Sequence, residues 1–381
     1  MITHASHLPA RFGIEEEFFL CRTDDHAIVR KPSRKFLRDC RNTLGSLLSA
    51  ELLQSQIEAR TAILDSPDAA LEAVTASRDK LGRTARAHGL CILSAGTHPL
   101  AQWREQIASD ALRYRRLFED FQIVAQRNLL CGLHVHVEIA PQLDRIHVMN
   151  GVMPWLPMFL SLTASSPYWG RRDTGLMSYR QSAYDEWPRT GIPRLFSDEA
   201  EYRRYIERML AVEAIADESF IWWAIRPSAK YPTLELRIAD ACPDIRDALC
   251  VAQLYRAAVH QQSLLLQRGT TIQHDPVERL IIEENRWRAK RLGTKAHLIP
   301  AGGSRPIDLA QVIETFAIEC AEAIEELAVQ EAVERARKIA REGCSAERQR
   351  QRYAAARERG ITHQQALAEV VAALVHDTQL V

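Results

Sequence analysis

The sequence predicts an α+β protein, a mixed sheet-and-helix domain whose C-terminal part is almost wholly helical. Two observations point there. Short apolar stretches with a period of two alternate with helix-length segments through the first half. From Asp308 to Val375 the pattern is then helical, with breaks near Gly343 and Gly360. A chain of 381 residues can form one large domain, and residues 1–381 are read as one.

The elements follow in order. Gly13 to Leu20 reads as a strand. Ser66-Pro67-Asp68 starts a helix, with serine as N-cap, proline at the first helical position and an acid at the positive helix end. That helix runs to about His88, where Gly89 closes it, and Leu90 to Ala95 is the next strand. Asp110 to Gln126 reads as a helix and Gly132 to Ile139 as a strand. Ser165 to Pro193 has neither period and reads as a long structured loop, a common seat of function. Phe220 to Ile225 and Thr233 to Ala239 read as strands joined by Arg226 to Lys230. Asp244 to Gln267 is helical and ends near Gly269. Ser345 and Thr362 are N-caps for the last two helices, and the many arginines of this tail suit a solvated helical face.

Composition narrows the function. Lys+Arg and Asp+Glu each number 49, so no net charge draws the chain to nucleic acid or to an anionic membrane. No apolar run reaches the ~20 residues of a membrane helix. Met1 to Phe12 lacks the apolar centre of a secretory leader. The 8 cysteines show no CxxC spacing, so reduced thiols of a cytoplasmic protein are expected, not a disulfide scaffold or zinc ribbon. Small-molecule chemistry or protein partners remain.

The informative feature lies inside the strands. Residues two apart share a strand face. In the first strand Ile14, Phe18 and Leu20 share one face, and Glu15 and Glu17 the other, while Glu16 falls on the apolar side. In Leu133-His134-Val135-His136-Val137-Glu138-Ile139 the apolar residues alternate with His134, His136 and Glu138. In Leu234-Glu235-Leu236-Arg237-Ile238, Glu235 and Arg237 share the polar face. One such face could simply meet solvent. Three faces of Glu, His and Arg, if adjacent, would crowd carboxylates that tolerate each other only beside cations. An oxygen-rich set with histidine favours magnesium, or manganese, over zinc. Glu51 and Glu58 are seven apart; on a helix they would share a face, on strands they would oppose each other unless a bulge intervened.

These motifs resemble a known family. Gly13-Ile14-Glu15-Glu16-Glu17-Phe18 looks like the opening signature of the carboxylate–amine ligases of the type 2 glutamate–cysteine ligase group. Similar motifs follow in order: Glu51 through Glu58, Cys131 through Val137, Ser166-Pro167-Tyr168-Trp169 through Leu176, Ser178-Tyr179-Arg180, Arg226-Pro227 with Thr233 through Arg237, and Glu284-Asn285-Arg286-Trp287. They place the catalytic motifs over residues 12–295, ahead of a helical region over 308–376. The resemblance implies a glutamine synthetase-like antiparallel sheet with a concave active-site face and helices behind it. It implies magnesium held by Glu15, Glu17, Glu51, Glu58, His134 and Glu235, and His136 near nucleotide or metal. It also implies Arg237 on the transferred phosphoryl group, and points to a homodimer. Two places depart from the family pattern: Glu138, where a small residue is usual, and Ala95-Gly96-Thr97-His98-Pro99.

The expected chemistry joins a small carboxylate to an amine, such as an amino acid, at the expense of ATP. The carboxylate takes the γ-phosphoryl group, and the amine attacks the acyl phosphate. Such transfer needs positioning and charge neutralisation, which metal ions and arginine supply. Arg237 and Glu235 are the catalytic candidates. Arg171, Arg172, Tyr179 and Arg180 are candidates for substrate, and Asn285 for nucleotide or substrate. No GxxxxGK[ST] motif is present. Two alternatives stay open: a metal-dependent hydrolase built on His134 and His136, and a non-catalytic nucleotide sensor.

Overall fold

The computed structural model describes residues 10–270 and 275–379; the start read for a leader lies largely outside them. The centre is an antiparallel sheet. Its strands are β1 (Phe12–Arg22), β2 (Leu48–Ala50), β3 (Gln56–Arg60), β4 (Leu90–Leu93) and β5 (Leu133–Glu138). A hairpin of β6 (Tyr168–Trp169) and β7 (Arg172–Asp173) stands apart, and β8 (Ile225–Pro227) and β9 (Thr233–Leu236) complete the sheet. The order is β2-β3-β1-β5-β9-β8, with β4 paired to the end of β1.

One face of β1, β5, β9 and β8 carries Ile14, Val135, Val137, Leu234, Leu236 and Ile225, all buried in one apolar core. Helices Arg145–Val152 and Ile245–Gln267 pack behind them. Glu16, on this apolar side, is neutralised by fully buried Arg78, whose guanidinium donates to it at 2.6 and 3.2 Å and to the carbonyls of Cys242 and Pro243. A buried charge of this kind survives only because each of its donors and acceptors is met.

The helix Pro67–Arg86 begins as expected, with Ser66 Oγ accepting from the Ala69 amide. Three local expectations are corrected. The Asp110–Gln126 helix is two, Leu112–Phe121 and Ile123–Gln126, because Gln122 takes a positive φ and Phe121 turns into Trp187 and Trp222. The strand expected over Phe220–Ile225 starts only at Ile225; Trp222 and Trp223 are consumed by aromatic packing and do not alternate. The C-terminal helices also break at Cys320 and at Ala328, which has positive φ, and Cys344 precedes the helix Ser345–Glu358 as its cap. Several tail arginines are anchors: Arg335 and Arg348 both donate to buried Asp247 on the helix Ile245–Gln267.

Candidate active site

The register of the sheet decides which polar side chains meet. On one face Glu15 lies opposite His134, His136 opposite Glu235, Glu17 opposite Glu58, and Arg226 opposite Glu235. Glu51 joins them by a route not foreseen. β2 and β3 form a hairpin that pairs Ser49 with Glu58, and Glu51, two residues beyond Ser49, shares that face. Of the two readings of the seven-residue spacing, the segment is stranded, and the hairpin brings both carboxylates to one face.

These groups line a cavity of about 380 Å³. His134 is central. Its Nδ1 is 3.6 Å from Glu15, and its buried Nε2 is 3.9 Å from Glu17 with no hydrogen-bond partner. Ligand atoms of Glu15, His134 and Glu235 lie within 4.8 Å of one another, as do those of Glu17, Glu58 and His134. An orphaned imidazole nitrogen facing converging carboxylates is the arrangement a divalent cation satisfies.

The electrostatics agree. Burial, then Glu17 and Glu58, push the Glu51 carboxyl well above the usual range. Burial, then Glu15 and Glu17, push Glu58 up to about 8. Burial, then Arg237, holds His134 below its ordinary value, which keeps the imidazole neutral and able to ligate. Burial opposes ionisation of Glu235, yet Arg226 and Arg237 hold its carboxyl well below the usual range. Arg226 Nε donates to it at 2.7 Å, and Arg237 donates to it and to Tyr184 Oη.

A pH dependence follows. With no cation bound, the folded Glu58 keeps its proton up to about pH 8, whereas the unfolded group loses it near 4.5. Its stabilising contribution is thus complete below pH 4.5 and lost as pH rises to 8, at a cost of a few kcal/mol. Thermal unfolding with chelator should show the melting temperature falling over this window, and magnesium should restore it at pH 8. A chelated protein equally stable at both ends would contradict the crowding.

Of the other expected residues, Arg180 lines the cavity, buried beneath Arg237, whose carbonyl accepts from it at 3.3 Å. Arg171, Arg172, Tyr179 and Asn285 do not line it. Arg171 has positive φ and donates to the Leu100 carbonyl, which turns the loop outward. Arg172 is exposed on the β6–β7 hairpin. Tyr179 Oη accepts from Arg127. Asn285 clamps Ile299 through both its amide atoms. Glu138 pairs with Arg11 at 2.7 and 2.8 Å, away from the carboxylate cluster. Arg60, Arg113, Tyr184 and Lys230 line the cavity and were not singled out. Arg60 was legible as Glu58 plus two on one strand, whereas Arg113 arrives on a helix that no local pattern places.

Comparison with known proteins shows the family. The family profile described as "Glutamate-cysteine ligase family 2" matches residues 11–374. Two proteins named "Putative glutamate--cysteine ligase 2" are similar along almost the whole chain. That of Ectopseudomonas mendocina (strain ymp) is 44% identical over 97% of this chain and 97% of its own. That of Pseudomonas entomophila (strain L48) is 40% identical over 95% and 94%. In fold, the chain is similar to a glutamate–cysteine ligase of Francisella tularensis solved in complex with AMP, at TM-score 0.69 and 12% identity over 98% of this chain and 90% of that one. It is also similar to a bifunctional glutathione synthetase of Pasteurella multocida, at TM-score 0.70 and 15% identity, covering 97% of this chain but only 52% of that one. The chain is a ligase and belongs to glutamate–cysteine ligase family 2.

Proposed function

We propose that the protein joins a small carboxylate to an amine through an acyl phosphate made from ATP, with weak glutamate–cysteine ligase activity among its reactions. The observation that carries this reading is the meeting of Glu15, Glu17, Glu51, Glu58, His134 and Glu235 in one cavity with Arg237 beside them. Glu15, Glu235 and His134 would hold one magnesium ion, and Glu17, Glu58 and His134 another, with Glu51 in support. Bound there, magnesium or manganese neutralises phosphate oxygens and orients the triphosphate. Arg237, fixed between Glu235 and Tyr184, presents a permanent positive charge to the phosphoryl group in transfer. His136, its Nε2 3.7 Å from Glu15 and its Nδ1 on Thr233 Oγ1, stands beside the first ligand set, toward the nucleotide. The AMP in the Francisella ligase, on the same fold, supports a nucleotide substrate. The excess of carboxylate over imidazole weighs against a zinc hydrolase.

Arg180 is the first candidate to meet the substrate carboxylate, because its guanidinium is buried at the cavity wall. Arg180→Ala should raise the KM of the carboxylate at least about tenfold, while Arg172→Ala leaves it within about twofold. Steady-state kinetics with ATP saturating makes the comparison, and the opposite ranking would remove Arg180 from this role.

The reading extends to a cytoplasmic homodimer; the 8 free, buried cysteines suit a reducing compartment, and light scattering would test the dimer. The functional test is ADP release and product mass across pairs of amino acids and amines. Turnover should require ATP, a divalent cation and both partners. Hydrolysis without ATP would favour the hydrolase, and tight ATP binding without turnover on any pair would favour the sensor.

A further inference from the structure

Arg180 reaches the cavity with few side-chain contacts of its own. Its Nη1 donates to the Arg237 carbonyl at 3.3 Å, while its Nε is buried without a hydrogen-bond partner. Its Nη2 lies against Gly132: a Cβ there would come within 2.3 Å of Nη2 and within 3.1 Å of His134 Nε2. The missing side chain admits the guanidinium to the wall beside His134. A long arginine side chain has many rotamers to lose, so such a pose needs an external hold.

That hold is Asp240, fully buried just beyond β9. Its Oδ2 accepts from Ser166 Oγ at 2.7 Å and from the Ser165 amide at 3.0 Å, and its Oδ1 from Ser178 Oγ at 2.8 Å. Ser166 Oγ in turn accepts from the Arg180 amide at 3.0 Å. Asp240 Oδ1 also faces Arg180 Nη1 at 4.0 Å, a contact between charges that is too long for a hydrogen bond. Backbone bridges join Gly132 to Asp240 and Ser166 to Ser178, so one hub fixes both the backbone beside the guanidinium and the start of the helix Tyr179–Tyr184. Gly96 makes room for the hub, since a Cβ there would stand 2.7 Å from the Asp240 carboxyl. Burial raises that carboxyl above its usual range, and Arg180, then Ser166, Ser165 and Ser178, oppose the rise. Neutral groups could tie these loops together. A buried acid costs desolvation, and what it adds is a counter-charge for Arg180.

We propose that Asp240 is a positioning residue for the carboxylate substrate: it gathers Ser166 and Ser178 on one hub, faces Arg180 as its counter-charge, and so keeps the guanidinium aimed into the cavity beside His134. The inference rests on the reading of Arg180 as the residue that meets the substrate carboxylate. An arginine ordered before the substrate arrives loses less freedom on binding, so the hub acts on substrate affinity.

The test uses the full chain with magnesium and follows ADP release, varying glutamate at saturating ATP and cysteine, then ATP at saturating glutamate. Asp240→Asn keeps the shape, but its amide nitrogen cannot accept from a serine and its charge is gone. It should raise the KM for glutamate at least about fivefold and leave kcat and the KM for ATP within about twofold. In an Arg180→Ala background the same change should add less than about twofold, because the group through which it acts is missing. Ser178→Ala removes one hydroxyl from the hub and keeps the acid. It should raise the glutamate KM about threefold and lose that effect in Arg180→Ala as well, so the comparison stands even if Asp240→Asn does not fold. A penalty retained in full without Arg180, or KM values for glutamate and ATP rising in parallel, would make Asp240 a loop anchor and overturn the inference. So would an unchanged glutamate KM in Asp240→Asn and Ser178→Ala. A wild-type glutamate KM in Arg180→Ala alone would instead overturn the reading of Arg180 on which the hub's role depends.

Discussion

Glu235→Gln should lower the ligation rate about a thousandfold while the chain still folds. Glu235 touches two systems at once. It belongs to the ligand set with Glu15 and His134, and it is the carboxylate between Arg226 and Arg237. Glutamine keeps the shape but not the charge. A cation at that position loses an anionic ligand, and two largely buried guanidinium groups lose their counter-ion. Arg237 then loses one of the two partners that aim it, the other being Tyr184. Loss of one preorganised electrostatic group commonly costs about 10²–10³ in rate, and here the metal site is damaged as well. ADP release at saturating substrates measures the fall, and circular dichroism shows whether the fold persists. A variant retaining more than about a tenth of the wild-type rate at limiting magnesium would remove Glu235 from the chemistry.

His134→Ala should have the broadest effect on metal binding, because His134 belongs to both ligand sets. Removing it takes a neutral ligand from between four carboxylates, Glu15, Glu17, Glu58 and Glu235. Their repulsion is no longer shared with an imidazole, so the variant should bind divalent ions at least about a hundredfold more weakly at pH 7.5. Activity at fixed magnesium should fall with it and recover in part as magnesium is raised. Glu58→Gln, which touches one set, should lose less. Equal losses in the two variants would mean that His134 is not shared.

The sequence made the three central strands legible, since period-two alternation of apolar with Glu, His and Arg survives any tertiary context that buries one face. What it could not show was register. That Glu15 meets His134, and His136 meets Glu235, depends on how strands about a hundred residues apart are aligned. The spacing of Glu51 and Glu58 left helix and strand both open; the two share a face because Leu52 and Leu53 are buried where the chain turns between two short strands. The arginine-rich loop was recognised as special from its composition, yet composition does not say which arginine points inward. Positive φ at Gly170 and Arg171 sends the hairpin outward, and Arg180, two residues beyond Ser178, is turned in by the short helix Tyr179–Tyr184. Buried Asp240 fixes that geometry by accepting from the hydroxyls of Ser166 and Ser178, a tie spanning more than sixty residues that no local pattern announces.

The carboxylate basin either takes up hard divalent cations or it does not, and manganese titrated into the nucleotide-free protein, followed by electron paramagnetic resonance, decides the matter. Wild-type protein should sequester manganese, with uptake strengthening from pH 6 to 8 as Glu58 gives up its proton, and His134→Ala should abolish it over the same concentrations. Free manganese undiminished by the wild type, or bound equally by His134→Ala, would contradict the assignment of these side chains as ligands.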